Sequence, residues 1–238
     1  MKQRLDQALV TKRLASTRSQ AENLIRLGKV KVDGRLVNKA GLFVNENATI
    51  QLSDNQRYVS RAGLKLASVA DTLGIDFKDK VILDVGSSTG GFTDYALQHG
   101  AKKVFAVDVG TQQLHPSLRG NKRIELHEKT DIRDFIPDET PGIVVMDVSF
   151  ISLREILPHI ETVIDKDTEV VAMLKPQFEA GRVQVNKGVI KNDSIRRQIL
   201  KDFELWAKGL FVIVDKADSE VAGAKGNRER FYLLKKIA

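Results

Sequence analysis

The sequence contains no cysteine. That absence removes thiolate nucleophiles, disulfides and cysteine-held zinc, and with them methylation at pyrimidine C5, which needs a cysteine nucleophile. The four histidines are scattered without ligand spacing, so no metal is expected. No apolar run approaches the roughly 18 residues of a membrane span. The N-terminal stretch MKQRLDQALVTKRLAS carries charges within its apolar positions and offers no signal-peptide core. The expectation is a cytoplasmic chain without stable membrane insertion. Also missing is the G-x-G-x-x-G that seats a pyrophosphate on a helix N-terminus, which disfavours a dinucleotide.

What stands in its place is VILDVGSSTGGFTDYAL, Val81 to Leu97, where an apolar run ends in a carboxylate and breaks into a glycine-rich turn that opens a helix. In open α/β sheets a ligand sits outside the carboxyl ends of the strands, and a turn poor in side chains lets backbone N–H groups approach it. Asp84, Gly86, Ser87, Ser88, Gly90, Gly91 and Phe92 are the candidate binding residues of this segment. Asp108 closes the next apolar run, KVFAVD, where an acidic residue takes both hydroxyls of a ribose. A nucleoside without phosphates fits best. S-adenosylmethionine is such a ligand, with a zwitterionic tail for Asp84 and the turn amides. Asp131, in EKTDIRDF, is expected to face its adenine.

The 238 residues, 42% hydrophobic, suffice for one α/β core and a small appended module. Past residue 60 the runs VILDV, KVFAVD, RIELH, GIVVMD, EVVAMLK, LFVIVD and ERFYLL alternate with helical patterns, which predicts a Rossmann-like, mostly parallel sheet. The last two runs are too close for a crossover helix, so they are expected to pair antiparallel. Parallel strands deliver their ends to the ligand edge and an antiparallel last strand delivers its start. Asp147, Lys175 and Glu229 then converge there, joined by Lys65 from an early helix. Ion pairs on the surface of a chain with 29% charged residues are the plain alternative. Joint placement on one edge favours chemistry. A ribose hydroxyl is a poor nucleophile until its proton is drawn away, and a desolvated lysine beside another cation is suited to draw it. Lys175 is read as that base and Lys65 as the neighbouring cation, with Asp147 and Glu229 orienting the two ammonium groups.

Residues 1–60 hold 11 Lys and Arg against 5 Asp and Glu, whereas the other 178 residues hold 27 against 26. The excess positive charge therefore sits in the first quarter of the chain, the footprint of a phosphate-binding module. Leu5, Ala8 and Leu9 mark one apolar helix face; Ala21, Leu24, Ile25 and Leu27 mark a second that stops at Gly28. Val30 and Val32 alternate with Lys29 and Lys31 before the two-residue turn Asp33-Gly34, which predicts a hairpin with a basic face.

RLDQALVTKRLASTRSQAENLIRLGKVKVDGRLV resembles an S4 domain, an α+β RNA-binding module, over about the first 55 residues. The resemblance implies binding of structured RNA through Arg4, Arg18, Ser19, Arg26, Lys29, Lys31 and Arg35. SRAGLKL, LDVGSSTGGFTDYAL, AVDVG, MDVSFISL, LKPQFEAGR and GAKGNRERF, taken in register, resemble the TlyA or hemolysin A-type family, whose methyltransferase domain is FtsJ-like. This implies S-adenosylmethionine-dependent 2'-O-methylation of ribosomal RNA, with a K-D-K-E tetrad at Lys65, Asp147, Lys175 and Glu229 and ribosomal subunits as partners. Glu220 is the competing position for the last member. The implied division is 1–57 RNA-binding domain, 58–62 linker and 63–238 methyltransferase domain. After Lys175, PQFEAGRVQVNKGVIKND reads as a flap, with Arg182 and Lys187 as phosphate contacts and Phe178 either stacking on a nucleotide or packing against the flap.

Three alternatives are weaker. An amino-group methyltransferase wants Pro-Pro-aromatic after its acidic residue, and DVSF lacks both prolines. A membrane-active hemolysin needs spanning helices or amphipathic strands. A non-catalytic RNA-binding or ribosome-assembly protein would not need an intact glycine turn and four converging charges.

Overall fold

The computed structural model describes residues 2–15, 17–26, 28–52, 57–180, 188–190, 192–223 and 226–237. The chain divides into two compact units, Met1–Arg57 and Tyr58–Ala238.

In the first unit, helix α1 (Leu5–Thr11) and helix α2 (Arg18–Arg26) turn Leu5, Ala8, Leu9, Ala21 and Ile25 into a common core. Strands β2 (Val30–Val32) and β3 (Arg35–Val37) form the expected hairpin, with Val32 opposite Arg35. Asp33 and Gly34 both take positive φ, 50° and 79°, the geometry whose twist matches a two-residue hairpin. Two pairings lie beyond the sequence reading. β5 (Ile50–Leu52) joins the free edge of β2, and β1 (Lys2–Arg4) pairs with β4 (Phe43–Asn45).

The second unit is built on β6 (Val81–Val85), β7 (Lys103–Val107), β8 (Ile124–His127), β9 (Ile143–Met146), β10 (Glu169–Leu174), β11 (Phe211–Asp218) and β12 (Arg230–Lys236). They form one seven-stranded sheet in the order β11-β12-β10-β9-β6-β7-β8. β6 to β10 are parallel, and β12 runs antiparallel to both β10 and β11, as the short connection requires.

Both faces are covered, so the interiors of the central strands are apolar apart from Asp84 in β6, and their residues alternate between two cores. Leu83, Val85, Val144 and Met146 meet α5 (Leu153–Thr162) and α7 (Asp193–Ala207). Ile82, Ile143 and Val145 meet α3 (Arg61–Ala70) and α4 (Gly91–Gln98). Tyr58, 2% exposed, packs in this second core. The strand order reverses at β6, with β7 on one side and β9 on the other, which opens a crevice beyond their carboxyl ends. Among the described residues no helix is long and apolar enough to cross a membrane.

Candidate active site

Two adjoining cavities lie at that crevice. One, of about 400 Å³, is lined by Gly86, Ser88, Asp108, Asp131, Asp147 and Ser149 among others. The other, of about 150 Å³, is lined by Asp84, Ser87, Phe92, Asp147, Ser149 and Lys175 among others. Gly86, Ser88, Asp147 and Ser149 border both.

The three glycines of the turn divide into two jobs. Gly86 takes φ +77°, and a Cβ there would sit 3.0 Å from the Asp147 carbonyl, so the ends of β6 and β9 close up only around glycine. Gly90 and Gly91 line neither cavity. A Cβ on Gly90 would press on Leu118 and Leu114, and one on Gly91 would run into the Ser60 hydroxyl. These two glycines serve packing, and the α3–α4 contact, where a Cβ on Gly63 would lie 2.9 Å from the Gly91 carbonyl, is of the same kind.

Asp84 is almost fully buried, and its Oδ2 accepts a 2.6 Å hydrogen bond from Thr93 Oγ1. Its Oδ1 has no partner, and burial pushes the carboxyl up to about 7. Ser87 Oγ is likewise buried without a partner. Asp108 accepts the N–H groups of Ser88 at 2.8 Å and Gly110 at 2.6 Å, while Ser88 Oγ donates to Gln113. Asp131 caps a short 3-10 turn and holds Arg133 through a fork of 3.0 and 2.6 Å; these hydrogen bonds bring its carboxyl down to about 2. Phe92 is buried against Phe231.

The four charged residues form two buried ion pairs. Lys175 Nζ lies 2.5 Å from Asp147 Oδ1, and Lys65 Nζ lies 2.6 Å from Glu229 Oε2. Leu174 is registered opposite Arg230, so the end of β10 and the start of β12 bring Lys175 and Glu229 to the same edge. Glu220 is exposed, and the partner of Lys65 is Glu229. Lysines buried to this degree carry a large desolvation cost, a pattern concentrated at functional sites.

Two features escaped the sequence. Lys175 also donates to Ser149 Oγ at 2.6 Å. Glu179, at the end of α6 (Pro176–Glu179), is buried and accepts from Ser152 Oγ at 2.6 Å and the Leu153 N–H at 2.7 Å; burial raises its carboxyl. The only signal for either was its place inside DVSFISL or LKPQFEAGR. Phe178 packs on Phe150, ring centroids 5.1 Å apart, and Phe150 is 91% exposed. Arg182 and Lys187 lie outside the described residues.

In the first unit Asp6 is fully buried and takes hydrogen bonds from Arg4 at 3.1 and 2.8 Å, from Arg18 at 2.9 Å and from the Gln7 N–H at 2.9 Å. The paired guanidinium of Arg4 holds the Asp6 carboxyl well below the usual carboxylate range. Arg35 is exposed, and Lys29 and Lys31 are half-buried. Ser19 and Arg26 fall on α2, with side chains outside the described part of the structure.

Residues 3–50 match the S4 domain, and residues 58–236 match the FtsJ-like methyltransferase family. Hemolysin A of Brachyspira hyodysenteriae is 39% identical, covering 95% of this chain and 97% of its own length. The 23S rRNA (cytidine-2'-O)-methyltransferase TlyA of Campylobacter jejuni is 37% identical, covering 94% and 96%. A solved structure from Streptococcus thermophilus, 37% identical, matches with a TM-score of 0.76 over 99% of this chain and 88% of that one. The crevice at the strand reversal and the two buried lysine pairs thus belong to a chain that is a member of the FtsJ-like methyltransferase family, carrying an S4 domain before its catalytic fold.

Proposed function

We propose that this protein transfers a methyl group from S-adenosylmethionine to a ribose 2'-oxygen of ribosomal RNA, acting in the cytoplasm on ribosomal subunits. The observation that carries the reading is Lys175, buried, paired with Asp147 and lining the smaller cavity next to Asp84, whose Oδ1 has no partner. The residues fit the cofactor. Asp84 Oδ1 is an acceptor in want of a donor such as the ligand's ammonium, and Ser87 Oγ is suited to its carboxylate. Asp108 and Asp131 border the larger cavity, where ribose and adenine fit. The bound sulfonium supplies an electrophilic methyl group that is already activated.

The chain's own work is then placement and proton removal. Lys175 takes the proton of the ribose hydroxyl, Asp147 orients Lys175, and the Lys65–Glu229 pair keeps a second cation at the same edge for the developing alkoxide. The first unit supplies RNA affinity through Arg4, Arg18, Lys29, Lys31 and Arg35, reading shape and backbone more than sequence. The similarity to the Campylobacter jejuni enzyme, named for cytidine-2'-O-methylation of 23S rRNA, supports both substrate and position of attack.

The test is methyl transfer from labelled S-adenosylmethionine to unmodified ribosomal subunits, with Lys175→Ala as control and the labelled nucleotide mapped. Label on a ribose, absent with the variant, is expected. Label on a base moves the reading to an amino-group enzyme, and RNA binding without label moves it to an assembly role.

A further inference from the structure

A neutral primary amine carries two N–H bonds and one lone pair, set tetrahedrally around nitrogen with the attached carbon. Lys175 Nζ has two oxygens at short range, Asp147 Oδ1 as an ion-pair contact at 2.5 Å and Ser149 Oγ as a hydrogen-bond acceptor at 2.6 Å. The Asp147 contact is an ion pair without a hydrogen bond, so the N–H given to Ser149 is what fixes the rotation of the amine and with it the direction of the lone pair. With Asp147 alone, the amine turns about its Cε–Nζ bond and the lone pair wanders. We propose that Ser149 is a positioning residue for methyl transfer: its hydroxyl oxygen takes an N–H of Lys175 and so aims the lone pair at the ribose hydroxyl. The inference rests on Lys175 being the base of the proposed function.

Three observations support it. Ser149 borders both cavities, so its hydroxyl stands where the cofactor space and the lysine meet. Its loop is anchored at both ends: the Asp147 N–H donates to the Val85 carbonyl at 3.1 Å, and Ser152 and Leu153 bond to buried Glu179. Glu179 follows Lys175 by one helical turn, so a single short segment supplies both the lysine and the clamp on its acceptor. The two oxygens also suit the whole reaction. The ribose proton moves onto Nζ as the ribose oxygen bonds to the methyl carbon and the carbon–sulfur bond breaks to leave a thioether. The resulting ammonium keeps its hydrogen bond to Ser149 and its ion pair with Asp147, and returns the proton to water.

The experiment compares Ser149→Thr, which keeps the hydroxyl, with Ser149→Val, of nearly the same shape without it, and with Ser149→Ala, all beside Lys175→Ala. Steady-state transfer to unmodified subunits and S-adenosylmethionine affinity by calorimetry are read for each. Val and Ala are expected to lower kcat by about 10- to 100-fold, the scale of a misaimed reacting group. KM for RNA and cofactor Kd should stay within about twofold, and Thr should restore kcat. Unchanged kcat in Val and Ala overturns the inference, as does a joint loss of kcat and cofactor affinity that Thr fails to repair, which marks a packing role. If Lys175→Ala keeps wild-type turnover, the base assignment itself falls and Ser149's role with it. If only Lys175→Ala is inactive, that assignment stands and the Ser149 inference alone fails.

Discussion

Both units of this protein bury ionic groups, one burying a single partner and the other burying both. In the first unit the anion is inside: Asp6 is fully buried while Arg4 and Arg18 remain 36% and 54% exposed at their side chains. In the second both partners are inside: Lys65 and Glu229 are 11% and 3% exposed at their side chains, Lys175 and Asp147 9% and 15%. A buried carboxylate with outward guanidinium groups fixes a fork that still has donors to offer a phosphate. A buried ammonium with its carboxylate is withdrawn from water and is useful only to something admitted to the cavity. In the proposed function the same interaction thus serves a docking surface in one unit and a reaction site in the other.

The sharpest way to break this contrast is Lys175→Ala, expected to lower methyl transfer by about 10³-fold, within the range for losing a positioned base. RNA retention on a filter should hardly change. Asp6→Asn attacks the other side. It is expected to destabilise the first unit by about 1–3 kcal/mol, the cost of spoiling a buried hydrogen-bonded charge, read from urea unfolding, and to weaken RNA binding without touching cofactor affinity. Because the Asp6 carboxyl is depressed on folding, its stabilisation is present above the unfolded carboxylate value and is lost as pH falls below about 4.

Asp84 has the opposite sign. Its folded value is raised to about 7, so between about 4 and 7 the native state holds a proton the unfolded chain has released, and its contribution to stability falls as pH rises through that window. An ammonium ligand selects the ionised form. Cofactor affinity should drop by about tenfold for each pH unit below 7, with proton release on binding that calorimetry in buffers of different ionisation enthalpy detects. The smallest effect is expected from Glu179→Gln, which keeps one acceptor for Ser152 or Leu153 and loses the charge. A fall in kcat of about three- to tenfold with unchanged cofactor Kd would separate a loop clamp from a binding group.

What was legible in the sequence was what strand arithmetic carries. Apolar runs located the central sheet, the short gap before ERFYLL set the antiparallel last strand, and that direction alone put Glu229 rather than its neighbour's far end beside Lys175. Asp33-Gly34 announced a turn because few other pairs accept two positive φ angles. What stayed hidden depends on contacts between distant segments. Nothing in RLDQAL marks Asp6 as buried, because one of the guanidinium groups that hold it, that of Arg18, arrives from the next helix. Gly90 and Gly91 look like ligand-facing glycines, yet their constraint comes from Leu114, Leu118 and Ser60. Ser149 is one serine among many until Lys175 folds over it.

The placement of β12 has a consequence for how incomplete chains behave. It follows β11 in sequence but lies between β11 and β10 in the sheet. A product of premature termination that stops before Glu229 would leave β11 without its neighbour, expose the edge of β10 and deprive Lys65 of its partner, all at once. The sheet and the Lys65–Glu229 pair therefore close in the same step, with the addition of β12.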